Sequence, residues 1–179
     1  MTDSTASPRA ARVLLLGMMG SGKSSVGRAL AERTGWPFID NDALVERATG
    51  RTARELLAQR GEAAMWEAES AALRTGLTIP APAIVATAAG TIMRPKDRAG
   101  IGAGGFVVWL HADPDMLAAR AAGAEHRPWL DEDPVGWFRA TIEERRPLYR
   151  AVADLEIDTG TTRPAVAAER VIERLSADR

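Results

Sequence analysis

One run of eight residues has the types and spacing for phosphate chemistry: Gly17-Met18-Met19-Gly20-Ser21-Gly22-Lys23-Ser24. It fits G-x-x-x-x-G-K-[ST], a loop whose backbone N–H groups cradle phosphate oxygens. Gly17, Gly20 and Gly22 let the chain take positive φ and pass close to a phosphate, where a Cβ would intrude. The inward-pointing amides form an anion-binding nest, backed by the positive end of a helix. Lys23 is expected between the β- and γ-phosphates and the Ser24 hydroxyl on Mg²⁺. The expected nucleotide contacts in this stretch are Gly17, Gly20, Ser21, Gly22, Lys23, Ser24 and Ser25.

Such a loop needs a strand before it and a helix after it. Residues 13–16 are a short apolar run suited to a buried strand, and residues 25–33 read as a helix. Further strands are predicted at 36–39, 84–87, 106–110 and 155–157. Between the second and third strands lie three helical stretches: 43–49 stopped by Gly50, one opened by the capping box Thr52 to Glu55, and 62–75 closed by Gly76. One crossover would need a single helix, so the surplus predicts a helical insertion. Asp113-Pro114 starts a helix, residues 135–153 form another that Pro147 should kink, and residues 164–176 close the chain. Residues 121–133 carry Gly, Pro and charge without periodicity and read as a loop. Strands alternating with helices imply a parallel sheet covered on both faces.

The 179 residues suffice for one domain with a proper core. A net charge of −1 gives no global preference for nucleic acid or an anionic membrane. The absence of cysteine rules out disulfides, thiolate metal sites and a Cys nucleophile. Residues 1–11 are Thr/Ser/Ala-rich without an apolar stretch and are expected to be a disordered leader, not a signal peptide. No apolar run approaches the roughly 20 residues of a membrane span, so the cytoplasm is the default compartment. His111 and His126 lack metal-ligand spacing.

The chain resembles the shikimate kinase family, a nucleoside-monophosphate-kinase-like branch of P-loop proteins, over nearly its whole length from about residue 12. The likeness is carried by the phosphate loop, FIDND at 38–42, TGRTARELLAQRGE at 49–62, RPWL at 127–130, ERRPLYRAVAD at 144–154 and IDT at 157–159. It implies a three-layer P-loop kinase fold: a five-stranded parallel sheet with helices on both faces, residues 12–179 forming the domain. Residues 41–76 would bind the acceptor, and residues 121–133 would be a lid. It implies ATP and Mg²⁺, with Asp40 joining Ser24 near the metal and Asp42 on the acceptor hydroxyls. Arg127 matches the lid arginine that reaches the phosphates, Arg145 an arginine that binds the acceptor carboxylate, and Arg120 and Pro164 positions that flank adenine. Lys23, Asp42 and Arg127 would carry the transfer; Asp42, Trp66, Ala89, Gly90 and Arg145 would line the acceptor pocket.

Two positions depart from the family. Its pattern G-E-x-x-F-R-x-x-E becomes Gly61-Glu62-Ala63-Ala64-Met65-Trp66-Glu67-Ala68-Glu69, so a second carboxylate-binding arginine is Trp66. Its triple glycine becomes Ala88-Ala89-Gly90. A carboxylate would lose one bidentate partner, commonly about 1.5–3 kcal/mol, and Trp has only a single neutral donor to offer. Alanine adds methyl groups and is strained wherever φ > 0 is required. Arg60, Arg74 or Arg94 are candidates to replace the lost guanidinium.

Plainer roles compete for some of these residues. Asp40 and Asp42 suit helix caps, Arg127 and Arg145 suit solvated surface, and Trp66 suits either core filling beside Met65 and Leu73 or the pocket wall. The expected activity is transfer of the ATP γ-phosphoryl to an alcohol by a monomer, with shikimate as the default acceptor. Alternatives are a polyol or cyclitol acceptor without a carboxylate, or a nucleotide-binding module without transfer.

Overall fold

A computed structural model describes residues 11–122 and 133–177. Five strands, β1 (Arg12–Leu16), β2 (Phe38–Asp40), β3 (Ala83–Ala86), β4 (Phe106–His111) and β5 (Leu155–Asp158), form one sheet in the order β2-β3-β1-β4-β5. Every neighbouring pair is parallel, and β1 sits in the centre with Val13 level with Ile84 on one side and Phe106 on the other. β1, β3 and β4 are buried along nearly their whole length. That is why they read as unbroken apolar runs, without the alternation of a half-exposed strand.

Side-chain alternation along β1 sets the layers. Val13 and Leu15 pack with Val26 and Leu30 of α1 (Lys23–Thr34) and with Ala167, Val171 and Leu175 of α8 (Pro164–Ala177). Leu14 and Leu16 point the other way. They join Leu73 of α4 (Glu62–Thr78), Ile101 of α5 (Pro95–Gly104) and Tyr149 of α7 (Pro134–Val152). The predicted three-layer arrangement is therefore present. Two smaller clusters extend it. Met18 packs with Leu117 of α6 (Pro114–Ala121), Phe138 and Ile142. Val45 of α2 (Asn41–Thr49), Leu56 of α3 (Ala53–Arg60) and Ala72 bind the three helices of the insertion together.

The structure differs from the sequence reading in three places. α2 begins at Asn41, capped by Asp40. α4 runs through Gly76 to Thr78, because Gly76 is a contact point and not a stop: a Cβ there would lie 3.0 Å from Val85. α5 and the 3₁₀ turn at Thr91–Met93 were not foreseen, since Gly100, Gly102 and Gly104 mask the helix. α7 is one helix with Pro147 inside it, in agreement with the sequence reading. The expected leader, apart from Ala11, and most of the expected lid, with Arg127 and His126, lie outside the described residues. No described helix is long and apolar enough to cross a membrane.

Gly27 tests the packing of α1 on the sheet edge, because a Cβ there would run into the ring of Phe38. Gly→Ala inside a helix ordinarily stabilises by about 1 kcal/mol, whereas overpacking costs typically about 1–3 kcal/mol. Gly27→Ala is expected to lower the urea midpoint, and adding Phe38→Leu to restore it. A stabilised single variant would refute this packing.

Candidate active site

The parallel sheet brings the carboxyl ends of its strands to one edge, the place where open α/β sheets bind ligands. A cleft of about 1050 Å³ opens there. β1 leads into the glycine loop, β2 ends at Asp40, β3 leads to Thr87 and Ala88-Ala89-Gly90, and β5 leads to Thr159. All four stretches contribute to the cleft wall.

The loop adopts the geometry its glycines allow. Gly20 has φ 75° and Gly22 φ 88°, and Gly22 caps the start of α1. A Cβ on Gly20 would stand 3.2 Å from the Leu117 carbonyl oxygen, so the loop is tight as well as left-handed. Lys23 donates from Nζ to the carbonyls of Gly17 (2.9 Å) and Met18 (3.0 Å), which holds its ammonium inside the loop. Ser24 Oγ donates to Asp40 Oδ2 at 2.8 Å, while Asp40 Oδ1 accepts from the Asp42 amide at 3.2 Å. Asp40 is thus a helix cap and a partner of the loop hydroxyl at once, so the two readings of it are compatible. Gly20, Gly22, Lys23, Ser24 and Ser25 face the cleft. Gly17 and Ser21 do not. They lie beneath the loop, where the buried Ser21 accepts at its carbonyl from Thr159 Oγ1 at 3.0 Å.

Arg120 ties this half together. Its guanidinium donates to the Gly20 carbonyl (3.2 Å) and to Thr159 at Oγ1 (3.3 Å) and O (2.9 Å). Pro164 lies on the same wall. Among the described residues no three His, Cys, Asp or Glu side chains cluster as a metal cage. Mg²⁺ commonly takes one or two protein oxygens and completes its shell with water and substrate phosphates, and Ser24 beside Asp40 is such a donor set.

The opposite half is lined by Asp42, Trp66, Ala89, Gly90 and Arg145, which the fold brings together. Trp66 is 43% exposed, so it lines the cleft and does not fill the core. Arg145 Nη1 donates to the Ala89 carbonyl at 3.1 Å, which also accepts from Tyr149 Oη at 3.3 Å. Burial pushes the Tyr149 phenol up to about 12, so it remains a neutral donor. No described non-glycine residue has positive φ, which removes the backbone strain expected at Ala88 and Ala89. Of the candidate replacement arginines, Arg74 is paired outside with Glu67 at 3.0 Å, and Arg94 donates to the buried Asp97 at 2.6 Å. Neither these nor Arg60 lines the cleft.

Among the cleft residues to which the sequence reading gave no role are Arg54, Thr159 and Glu69. Thr159 stood inside a quoted motif, and Glu69 closed the G-E-x-x-F-R-x-x-E pattern without being given a role. Arg54 is one position before the capping-box glutamate and resembles any exposed helix arginine in sequence.

The family model described as Shikimate kinase matches residues 19–176. The shikimate kinase of Symbiobacterium thermophilum is 37% identical over 166 residues, 91% of this chain and 95% of that protein. That of Caulobacter vibrioides is 39% identical over 176 residues, covering 98% and 87% respectively. Shikimate kinase from Acinetobacter baumannii, solved in complex with shikimate, superposes with a TM-score of 0.87 at 31% identity over 94% of both chains. A gluconokinase from Sinorhizobium meliloti shares the fold at a TM-score of 0.63 and 23% identity. A phosphate loop at the centre of a 2-3-1-4-5 parallel sheet, a helical insertion and these matches have one reading: the chain belongs to the shikimate kinase family, ATP-dependent phosphotransferases that use Mg²⁺ and an alcohol acceptor.

Proposed function

We propose that this protein transfers the γ-phosphoryl of ATP to one hydroxyl of a polyhydroxylated carbocycle, and that its acceptor pocket handles shikimate, the family's acceptor, poorly. The observation that carries the reading is the single cleft, with the phosphate loop on one wall and Asp42, Trp66 and Arg145 on the other. Shikimate remains the default acceptor because the relatives that match nearly the full chain are shikimate kinases. Domain assignment follows: residues 41–76 with the acceptor, the strand ends with the nucleotide.

In this mechanism the acceptor oxygen forms a bond to the γ-phosphorus as the bond to the β–γ bridging oxygen breaks, and ADP leaves. Asp42 accepts a hydrogen bond from the attacking hydroxyl and takes its proton late in the step. Lys23 neutralises charge on the transferring group, and the loop amides hold the phosphates in line. Mg²⁺, held by Ser24 with Asp40 and by the phosphates, would supply further charge neutralisation. Arg120 and Pro164 bound the space for adenine. Arg145, anchored on the Ala89 carbonyl, is placed to meet an acceptor carboxylate, with Arg54 also on the cleft wall. A cytoplasmic monomer belongs to the same proposal, supported by the ordinary balance of apolar and charged residues.

Lys23→Ala is expected to abolish ADP formation and to leave the thermal midpoint near that of the wild type, since the ammonium serves the loop and not the core. Wild-type turnover in that variant would end the kinase reading. For the acceptor, kcat/KM with shikimate is expected to be low in the wild type and to rise roughly tenfold to a hundredfold in Trp66→Arg, the range of one charge-assisted interaction. Adding Ala88→Gly and Ala89→Gly should contribute less, because neither alanine is strained. A wild-type kcat/KM of about 10⁴ M⁻¹s⁻¹ or more would remove the altered-pocket claim and leave an ordinary shikimate kinase.

A further inference from the structure

Glu69 is a charged group in the cleft that the proposed mechanism leaves without a use. It sits on α4 with 8% of its surface exposed, yet it belongs to the cleft lining. Its Oε2 is buried and has no hydrogen-bond partner. That atom borders the acceptor half directly, for a Cβ built on Gly90 would lie 3.3 Å from it. An unpaired buried carboxyl oxygen is costly, so a structure that keeps one calls for an explanation.

Helix geometry supplies half of it. Residues three apart lie on one helix face, so position 66 is the neighbour of Glu69 on the preceding turn. An arginine there would be within reach of the carboxylate. Trp66 carries one neutral donor on a rigid ring and is turned towards solvent. Among the described residues no side chain donates to Oε2: Arg94 bonds Asp97, Arg145 the Ala89 carbonyl and Lys23 the loop, while Arg94 Nη2 and Arg145 Nε lie buried without partners of their own. Asp42 of α2 adds a like charge, and Arg54, Glu62 and Glu144 stand on the same cleft wall. A bound acceptor can supply the donor for Oε2.

We propose that Glu69 is a specificity-determining residue that takes a hydrogen-bond donor of the acceptor, a hydroxyl or an amine, on its Oε2. The inference rests on the cleft being the acceptor site, as proposed above. It implies an acceptor chosen by a donor at the place where the family's pattern has an arginine at position 66.

Electrostatics give the proposal a second readout. Burial, opposed by Arg94 and reinforced by Asp42, pushes the Glu69 carboxyl up to about 7. The folded protein therefore keeps this proton over a range of pH in which the unfolded chain, near 4.5, has lost it, and stability falls as pH rises through that window. Glu69→Gln preserves the shape and removes the titration. Relative to the wild type it should gain thermal stability from pH 5 to pH 8, which also establishes that the variant is folded.

The test is steady-state ADP formation between pH 5.5 and 8.5 for wild type and Glu69→Gln, with shikimate and with aminoshikimate, in which an amine replaces one hydroxyl. The acceptor KM of the variant is expected to rise roughly tenfold or more at pH 8, where the wild-type carboxylate is ionised, with the KM for ATP within about twofold. The wild-type inflection in kcat/KM for the acceptor near pH 7 should vanish in the variant. A larger loss for the amine identifies an ammonium as the donor, and equal losses identify a hydroxyl; both support the proposal. An unchanged acceptor KM, parallel changes in both KM values, or an inflection that persists would overturn it while leaving the kinase reading intact. If the wild type phosphorylates no polyhydroxylated acceptor, both readings fall together.

Discussion

A single carboxylate joins the two halves of this molecule. Asp40 ends β2, accepts from Ser24 of the phosphate loop with one oxygen and from the amide that opens α2 with the other. The first contact fixes the loop against the sheet. The second fixes where the helical insertion leaves the sheet, and thereby where Asp42 and α4 face the loop. Since β2 is an edge strand only three residues long, paired with β3 alone, this position is not overdetermined by strand pairing. Two hydrogen bonds to one side chain connect the phosphate loop with the start of the helical insertion.

Much of the nucleotide half could be read from sequence because its determinants are local. Glycine at 20 and 22 reports the left-handed turns directly, and the buried strands announce themselves as apolar runs. The capping box at Thr52 is likewise a local pattern, and it is present with both of its reciprocal bonds. The failures came where tertiary packing outranks propensity. Gly76 resembles a helix stop but is the small residue that lets α4 approach Val85. The glycines of α5 conceal a helix held by Ile101 in the core.

The acceptor half was legible only as a set of departures. Trp66 for arginine was visible in the sequence, but its exposure, the buried isolation of Glu69 one turn later and the relaxed backbone at Ala88-Ala89 depend on the folded surroundings. The same fold supports a gluconokinase, so the sheet and loop do not decide which alcohol is phosphorylated. In the proposal above, that decision falls to a few cleft side chains on α3, α4 and α7.

The position of β1 has a consequence for biosynthesis. Leaving the ribosome first, this strand is apolar throughout its buried stretch, yet its partners are Ala83 to Ala86 on one side and Phe106 to Trp109 on the other. At about 5–20 residues per second, the second partner follows on the order of ten seconds later. Until β3 has been made, the nascent chain can form local helices but no sheet, and parallel pairing cannot be anticipated by a hairpin. The strand that carries the phosphate loop is synthesised first and is completed only when the chain has passed its midpoint.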